Sequence, residues 1–341
     1  MNYIGSKLRL SKSFILKTIK TVCGNDLSDK IFCDLFAGTG IVGRTFKPLV
    51  KKVIANDVEY YAYVLNKNYI GCCQELVGKK ELIDELNALV STPNSLKTTG
   101  FIYQNYCMAG SGSRQYFSDE NGKKIDAIRC KIEEWKEQGL CDVLYYFLLT
   151  SLLEAADRVS NTASVYGAYL KYLKKSAQKP LILQVSAAGR ETQNSLQQNE
   201  IFKEDANELI LKIVGDILYL DPPYNTRQYG ANYHILNTIA EYTSFTPQGV
   251  TGLPKYFRSK YCSRYSIKDA FEHLIKNARF KYIFLSYNNE GLLTFDEIKQ
   301  IMSTYGEYDM VQTEYQRFKA DSKRVNRAKS TVEYLHILEK D

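Results

Sequence analysis

The octapeptide LYLDPPYN at residues 218–225 joins an apolar run to an acid, two prolines and an aromatic. Residues 217–220 fit a strand in the core of a parallel sheet, where both faces are covered and alternation is lost. Asp221 then stands at the carboxyl end of that strand. Pro222 and Pro223 cannot donate to a ladder and cannot enter a helix directly, so the chain leaves the sheet extended and rigid. Tyr224 is thereby fixed beside the carboxylate. A Pro-Pro pair can simply stop a strand, but ligands of open parallel sheets bind beyond the carboxyl ends of their strands, which is where Asp221 falls.

A second constellation lies near the amino terminus. Residues 31–43, IFCDLFAGTGIVG, place Gly38, Gly40 and Gly43 in G-x-G-x-x-G spacing after a strand. Glycines there allow a tight turn and a close ligand approach, and the helix that follows offers unsatisfied N–H groups. Asp57 ends the next apolar run at a spacing suited to the two hydroxyls of a ribose. Two nucleoside cofactors fit such a loop, a nicotinamide dinucleotide and S-adenosyl-L-methionine. Asp34, just before the glycines, repels a pyrophosphate and attracts the cationic sulfonium and amino groups, so electrostatics favours the methyl donor.

These residues need a scaffold. Residues 31–36, 53–56, 217–220 and 282–286 read as short apolar strands, with helical patterns at 8–21, 62–68, 234–242 and 270–277. Strands alternating with helices predict an α/β sheet. Residues 308–318 and 331–338 are strand-like with no helix between them, which predicts an antiparallel hairpin at the sheet edge. Residues 72–198 break the rhythm and read as an insertion, so the expected division is a catalytic domain from 1–71 and 199–341 around an inserted domain at 72–198.

The chain of 341 residues carries a net charge of +7, and the distribution of that charge says more than its sum. Residues 158–190 contain six basic residues, Lys174 and Lys175 among them, and no acid. Residues 255–268 hold five more, including Arg258, Lys260 and Arg264, interleaved with Tyr256, Phe257, Tyr261 and Tyr265. Residues 317–329 add Arg317, Lys319, Lys323, Arg324, Arg327 and Lys329 against Asp321 alone. Any one run can be a solvated face; three together favour a nucleic acid, with phosphates neutralised by the cations and exposed bases stacked on the aromatics. Eight cysteines without a CxxC pair and three scattered histidines argue against a metal site and for reduced core residues in the cytoplasm. No apolar segment approaches the length of a membrane span or signal peptide.

The segments YIGSK, DLFAGTG, NDVEYYA, EDANELI and LYLDPPYN occur in an order that resembles the D12 class, or alpha group, of adenine-specific DNA N6-methyltransferases. The resemblance spans nearly the whole chain. It implies a Rossmann-like methyltransferase sheet, mostly parallel with a C-terminal antiparallel hairpin, plus an inserted, mainly helical target-recognition domain in which no motif is readable. By position, Tyr3 and Lys7 resemble the segment lying over the cofactor, with Lys7 placed to reach the methionine carboxylate or the DNA. Phe36, Gly38 and Gly40 would line the methionine end, Asp57 would bind the ribose, and Asp205 would bind the adenine amino group, although it is equally suited to cap the helix that follows it. Ala206 departs from the aromatic frequent at its position, which puts adenine packing on neighbours such as Val58.

The same resemblance assigns chemistry to the opening octapeptide. Asp221 and the carbonyl of Pro222 would accept the two hydrogens of an adenine N6, with Tyr224 stacked on a base rotated out of double-stranded DNA. Arg227 and Tyr229 are weaker candidates for shaping that pocket, and FLSYNNEG at residues 284–291 is expected to be architectural. A monomer is expected because one chain carries all the parts, and a cognate restriction endonuclease is the partner such a system implies. An RNA amino-methyltransferase using the same pocket is the alternative.

Overall fold

Each short apolar run at the predicted positions becomes a buried strand, because a sheet covered on both faces offers only apolar surroundings. In the computed structural model, which describes residues 7–91, 100–186, 198–316 and 330–340, seven strands form one sheet. They are β1 (Ile31–Asp34), β2 (Lys52–Asn56), β3 (Glu200–Phe202), β4 (Val214–Leu220), β5 (Arg279–Asn288), β6 (Gly306–Gln316) and β7 (Ser330–Lys340). Their order is β3-β2-β1-β4-β5-β7-β6. The first five pair in parallel, and β7 is antiparallel to both β5 and β6. This is the mostly parallel sheet with a C-terminal antiparallel hairpin that the resemblance implies. β3 is new relative to the sequence reading, since three half-exposed residues carry too little apolar signal to mark a strand.

The direction of winding reverses between β1 and β4. From β1 the chain steps outward to β2 and β3, then returns to the other side of β1 to start β4. Residue Asp34 at the end of β1 pairs in register with Tyr219, two positions before Asp221. Two apolar layers sandwich these strands. One is built around Phe32, Phe46, Val53, Ile217 and Phe284, the other around Leu218, Leu220, Phe271, Ile283 and Leu285. The helix Phe295–Ser303, absent from the sequence reading, starts from a capping box in which Thr294 and Glu297 exchange bonds.

The chain groups into two compact units. One comprises Gly5–Cys73, Glu191–Gln228 and Phe257–Asp341 and contains the sheet; the other comprises Met1–Ile4, Gln74–Arg190 and Tyr229–Tyr256. The sequence division at 72 and 198 does not foresee that Tyr229–Tyr256 groups with the second of these. That unit is mainly helical, with long helices Asp119–Glu137 and Asp142–Val159 and the shorter His234–Glu241. Tyr106, Tyr116, Tyr166, Tyr233 and His234 are fully buried in it. Its residues 160–186 form neither helix nor strand. Buried amides hold them instead: Asn161 bonds the carbonyls of Gln115 and Leu170 and the N–H of Lys174, while Asn121 bonds the carbonyl of Lys179 and the N–H of Leu181.

Phe32 stacks face to face on Phe46 with centroids 4.1 Å apart and is inaccessible to solvent. Phe32→Ala is expected to destabilise the sheet unit by about 3–5 kcal/mol, through lost transfer energy and the cavity left behind. A urea midpoint equal to that of the parent chain would contradict this packing.

Candidate active site

β1 and β4 each deliver a carboxylate at the carboxyl end, on the two strands where the order reverses. Such a reversal opens a crevice in a doubly wound sheet, so two acids converge on the place where a ligand fits. Asp34 is buried, and its Oδ2 accepts the N–H of Gly43 at 3.0 Å. That bond takes one of the N–H groups that the glycine spacing had suggested for a ligand. Burial, with further contributions from Asp221 and Asp57, pushes the Asp34 pKa up to about 8 even against the Gly43 bond.

The glycine loop is held from three sides. Gly38 donates its N–H to Oδ2 of Asp57 at 2.8 Å, and Oδ1 of Asp57 accepts the N–H of Glu59 at 2.9 Å. Burial nonetheless raises the Asp57 pKa to about 6. The Asn66 amide donates to the carbonyls of Gly38 and Ala62 at 3.0 and 2.8 Å. Gly40 adopts a φ of 75°, and a Cβ there would lie 2.5 Å from Asn66 Oδ1, so both conformation and space require glycine. That Asn66 oxygen is buried with no hydrogen-bond partner among the described residues. Asn56, at the end of β2, bonds the carbonyls of Leu35 and Glu204 and the N–H of Glu204, which fastens the segment carrying Asp205 beside the strand ends. Asp205 itself caps the helix Ala206–Leu209 by accepting the N–H of Asn207.

Asp221 lies at the centre of a second network. The Lys7 ammonium is 3.0 Å from Asp221 Oδ1 and 3.0 Å from Glu333 Oε1, and it also donates to the Tyr224 hydroxyl. Tyr224 in turn donates to Asp221 Oδ1. Both contacts therefore fall on one oxygen, and no described residue donates to Oδ2. Burial alone would lower the Lys7 pKa, but the two carboxylates outweigh it and hold the group charged. Burial raises the Asp221 pKa, an effect that Lys7 opposes and Glu333 reinforces. Burial and the same two acids keep the Tyr224 phenol far above its usual range, so it remains a donor. The Tyr224 ring meets Tyr287 edge-on at 5.3 Å, and Pro222 is buried.

The structure thus brings together Lys7, Asp34, Phe36, Gly38, Gly40, Asp57, Asp205, Asp221, Pro222 and Tyr224 in the sheet unit. Lys7 does so with a different partner from the one expected, since its ammonium is directed at Asp221 and Glu333. Phe36 packs edge-on against Tyr261 at 5.0 Å, and Tyr261 is buried and bonded to Asn207. This corrects the expectation that Tyr261 stacks on a base: the β1 loop needs an aromatic floor, and Tyr261 supplies it. Arg258, Lys260 and Arg264 are exposed in the same unit, and Tyr265 is 99% exposed. Lys174 and Lys175 belong to the helical unit. Lys175 is exposed, whereas the Lys174 ammonium donates to the Thr162 carbonyl at 2.6 Å and burial lowers its pKa. Tyr3, Arg317, Lys319, Lys323, Arg324 and Arg327 lie outside the described residues.

Sequence reasoning passed over Glu333, Ser286 and Asn66. Glu333 had a signal: it sits in the β7 register with Leu335 and Ile337, both buried, and a carboxylate on the covered face of a strand requires a partner. Among the described residues no three His, Cys, Asp or Glu side chains cluster as metal ligands, and no helix is long and apolar enough to cross a membrane.

Residues 3–309 match the model of the D12 class N6 adenine-specific DNA methyltransferase family. The chain is 59% identical to the type II methyltransferase M.NlaIII of Neisseria lactamica, covering 100% of this chain and 99% of that protein. It is 39% identical to M.CviAII of Paramecium bursaria Chlorella virus 1, covering 99% of this chain and 98% of that one. Identity to M.FokI of Planomicrobium okeanokoites is also 39%, over 100% of this chain and 53% of the longer relative.

The raised carboxyls have a measurable consequence. A free aspartate titrates near 4, so between about pH 4 and 8 the folded chain keeps a proton on Asp34 that the unfolded chain releases. Stability from this group is complete below pH 4 and is lost as pH rises toward 8. Asp34→Asn can still accept the Gly43 N–H but cannot ionise, so its melting temperature should fall less between pH 5 and pH 8 than that of the parent. Parallel declines would show that Asp34 ionises normally in the fold.

Proposed function

Because the chain belongs to the D12 class of N6 adenine-specific DNA methyltransferases, we propose that it transfers a methyl group from S-adenosylmethionine to N6 of an adenine rotated out of double-stranded DNA. The naming of its relatives as type II methyltransferases and modification methylases supports sequence-specific modification within a restriction-modification system. A cognate endonuclease as partner and a monomer as working form complete the proposal, the monomer on the ground that one chain carries all the parts. The observation that carries the reading is the orientation of Asp221, whose Oδ1 is engaged by Lys7 and Tyr224 at the strand reversal while no described residue donates to Oδ2.

The residues present fit the donor. Asp34, Asp57 and Asp221 form an acidic set that suits a nucleoside bearing a sulfonium and an ammonium, the orphaned Asn66 oxygen adds a buried acceptor, and Gly40 leaves no volume for a Cβ. When bound, S-adenosylmethionine supplies an electrophilic methyl group. Phe36, Gly38 and Gly40 would line its methionine end, and Asp57 and Asp205 would hold its ribose and adenine.

Adenine N6 is a poor nucleophile because its lone pair is delocalised into the ring. Asp221 Oδ2 and the Pro222 carbonyl accept its two hydrogens, which biases the nitrogen toward a tetrahedral geometry with the lone pair free. The two prolines fix this acceptor pair before substrate arrives, so little reorganisation is required during transfer. Asp221 acts through charge and direction, and once the methyl has been transferred N6 gives up one proton to water by way of Asp221 Oδ2. Extracting the base costs a few kcal/mol, and stacking on Tyr224, worth roughly 1–3 kcal/mol, offsets part of it. The exposed cations Arg258, Lys260, Arg264 and Lys175, with those at residues 317–327, would neutralise phosphates.

Asp221→Ala should abolish methyl transfer to unmethylated plasmid DNA while cofactor affinity falls only modestly; an active variant would refute the role given to Asp221. Transfer of tritiated methyl groups to structured RNA in preference to duplex DNA would select the RNA reading instead. Cofactor affinity, measured by calorimetry, should rise between pH 5 and pH 8 as Asp57 and then Asp34 become available as carboxylates to a cationic ligand. A flat profile would detach the acidic set from the cofactor.

A further inference from the structure

Glu333 is a buried carboxylate on β7, a strand that contributes no recognised motif. It is 3% exposed, its Oε1 lies 3.0 Å from the Lys7 ammonium, and the Ser286 hydroxyl of β5 donates to the same oxygen at 2.6 Å. The Tyr224 hydroxyl is 3.5 Å away. Burying a second carboxylate beside Asp221 carries a cost that a neutral side chain would not, because one ammonium already neutralises Asp221 and a neutral residue in place of Glu333 would leave a balanced pair. With Glu333 present the cluster holds one cation and two anions.

We propose that Glu333 is a positioning residue for methyl transfer, acting through Lys7: it shares the ammonium so that Asp221 is oriented without being electrically cancelled. The inference rests on the function proposed above and deepens it. An amine that receives a methyl cation becomes positively charged in the transition state. A Lys7–Asp221 pair alone presents that nitrogen with a dipole and no net charge, whereas the cluster with Glu333 presents a net negative charge. In a site shielded from water such a difference acts directly on the rate and little on ground-state binding.

The groups facing Asp221 are Lys7, Tyr224 from the same loop, Glu333 from β7, Asp34 from β1 and Tyr219 from β4. Those facing Glu333 are Lys7, Tyr224, Tyr219, Asp221 and Ser286. Replacing Glu333 by glutamine removes a like charge next to Asp221, so Asp221 should ionise at lower pH. Side-chain packing, in contrast, has no reason to move that titration.

The test compares the parent chain with Glu333→Gln on unmethylated plasmid DNA. The expected result is a loss of about tenfold or more in kcat, unchanged KM for the cofactor, and an acidic limb of the kcat–pH profile displaced to lower pH. An unchanged kcat, a loss confined to KM, or a lower kcat with the acidic limb in place would each overturn the proposal. Carbon-13 NMR titration of Asp221 in the protein without DNA or cofactor gives a second reading independent of turnover, with the midpoint expected to fall in the variant. An unmoved midpoint overturns the proposal as well. Should Glu333→Gln fail to fold, Ser286→Ala loosens Glu333 without removing it; a several-fold lower kcat supports the proposal and a parental kcat refutes it. Failure of the function itself looks different, since the parent chain would then leave the DNA unmodified while the Asp221 titration still responded to residue 333.

Discussion

Carboxylates withdrawn from water at the ends of neighbouring strands set the terms for everything around them. An isolated ionised carboxylate in an apolar interior is costly, so each must find a donor, a cation or a proton. Asp34 finds the Gly43 N–H and tends to keep a proton, Asp57 finds the N–H groups of Gly38 and Glu59, and Asp221 finds Lys7 and Tyr224. The glycine loop, the asparagines at positions 56 and 66 and the amino-terminal lysine follow from this requirement. Each supplies polarity where the sheet itself offers only apolar side chains. A cationic ligand entering this space would supply what these acids lack.

Much of this was legible in the sequence where a residue type is forced by backbone geometry. Apolar runs gave the central strands, the glycine spacing gave the loop after β1, and the double proline gave the rigid exit from β4. Gly40 is readable because only glycine tolerates both its positive φ and the adjoining Asn66 oxygen. What escaped was set by tertiary pairing. Nothing local says that Lys7 meets Glu333, or that Tyr261, in a run of basic residues, is a floor for Phe36. The short strand β3 and the fastening of residues 204–205 by Asn56 likewise depend on partners distant along the chain. A charged residue in a buried register, as at Glu333, is the kind of local inconsistency from which such a partner can be inferred.

The helical unit illustrates the opposite case. Its basic run at residues 158–190 reads as a surface for phosphates, yet in the described part, residues 158–186, the chain has a path dictated by two buried asparagines, and Lys174 is turned onto a backbone carbonyl. Charge counted along a sequence overstates charge offered to a partner. Arg258, Lys260 and Arg264, exposed around the 3-10 turn Lys260–Cys262, keep that character.

Lys7 and Glu333 are far apart along the sequence, and their meeting joins the residues just before the helical turn Ser11–Ile15 to β7. Lys7 and Asp221 therefore meet Glu333 only when β7 pairs beside β5. Closing a loop between residues so remote in sequence carries an entropic cost that local contacts do not. The charge balance around Asp221 thus depends on the sheet being extended through its antiparallel edge.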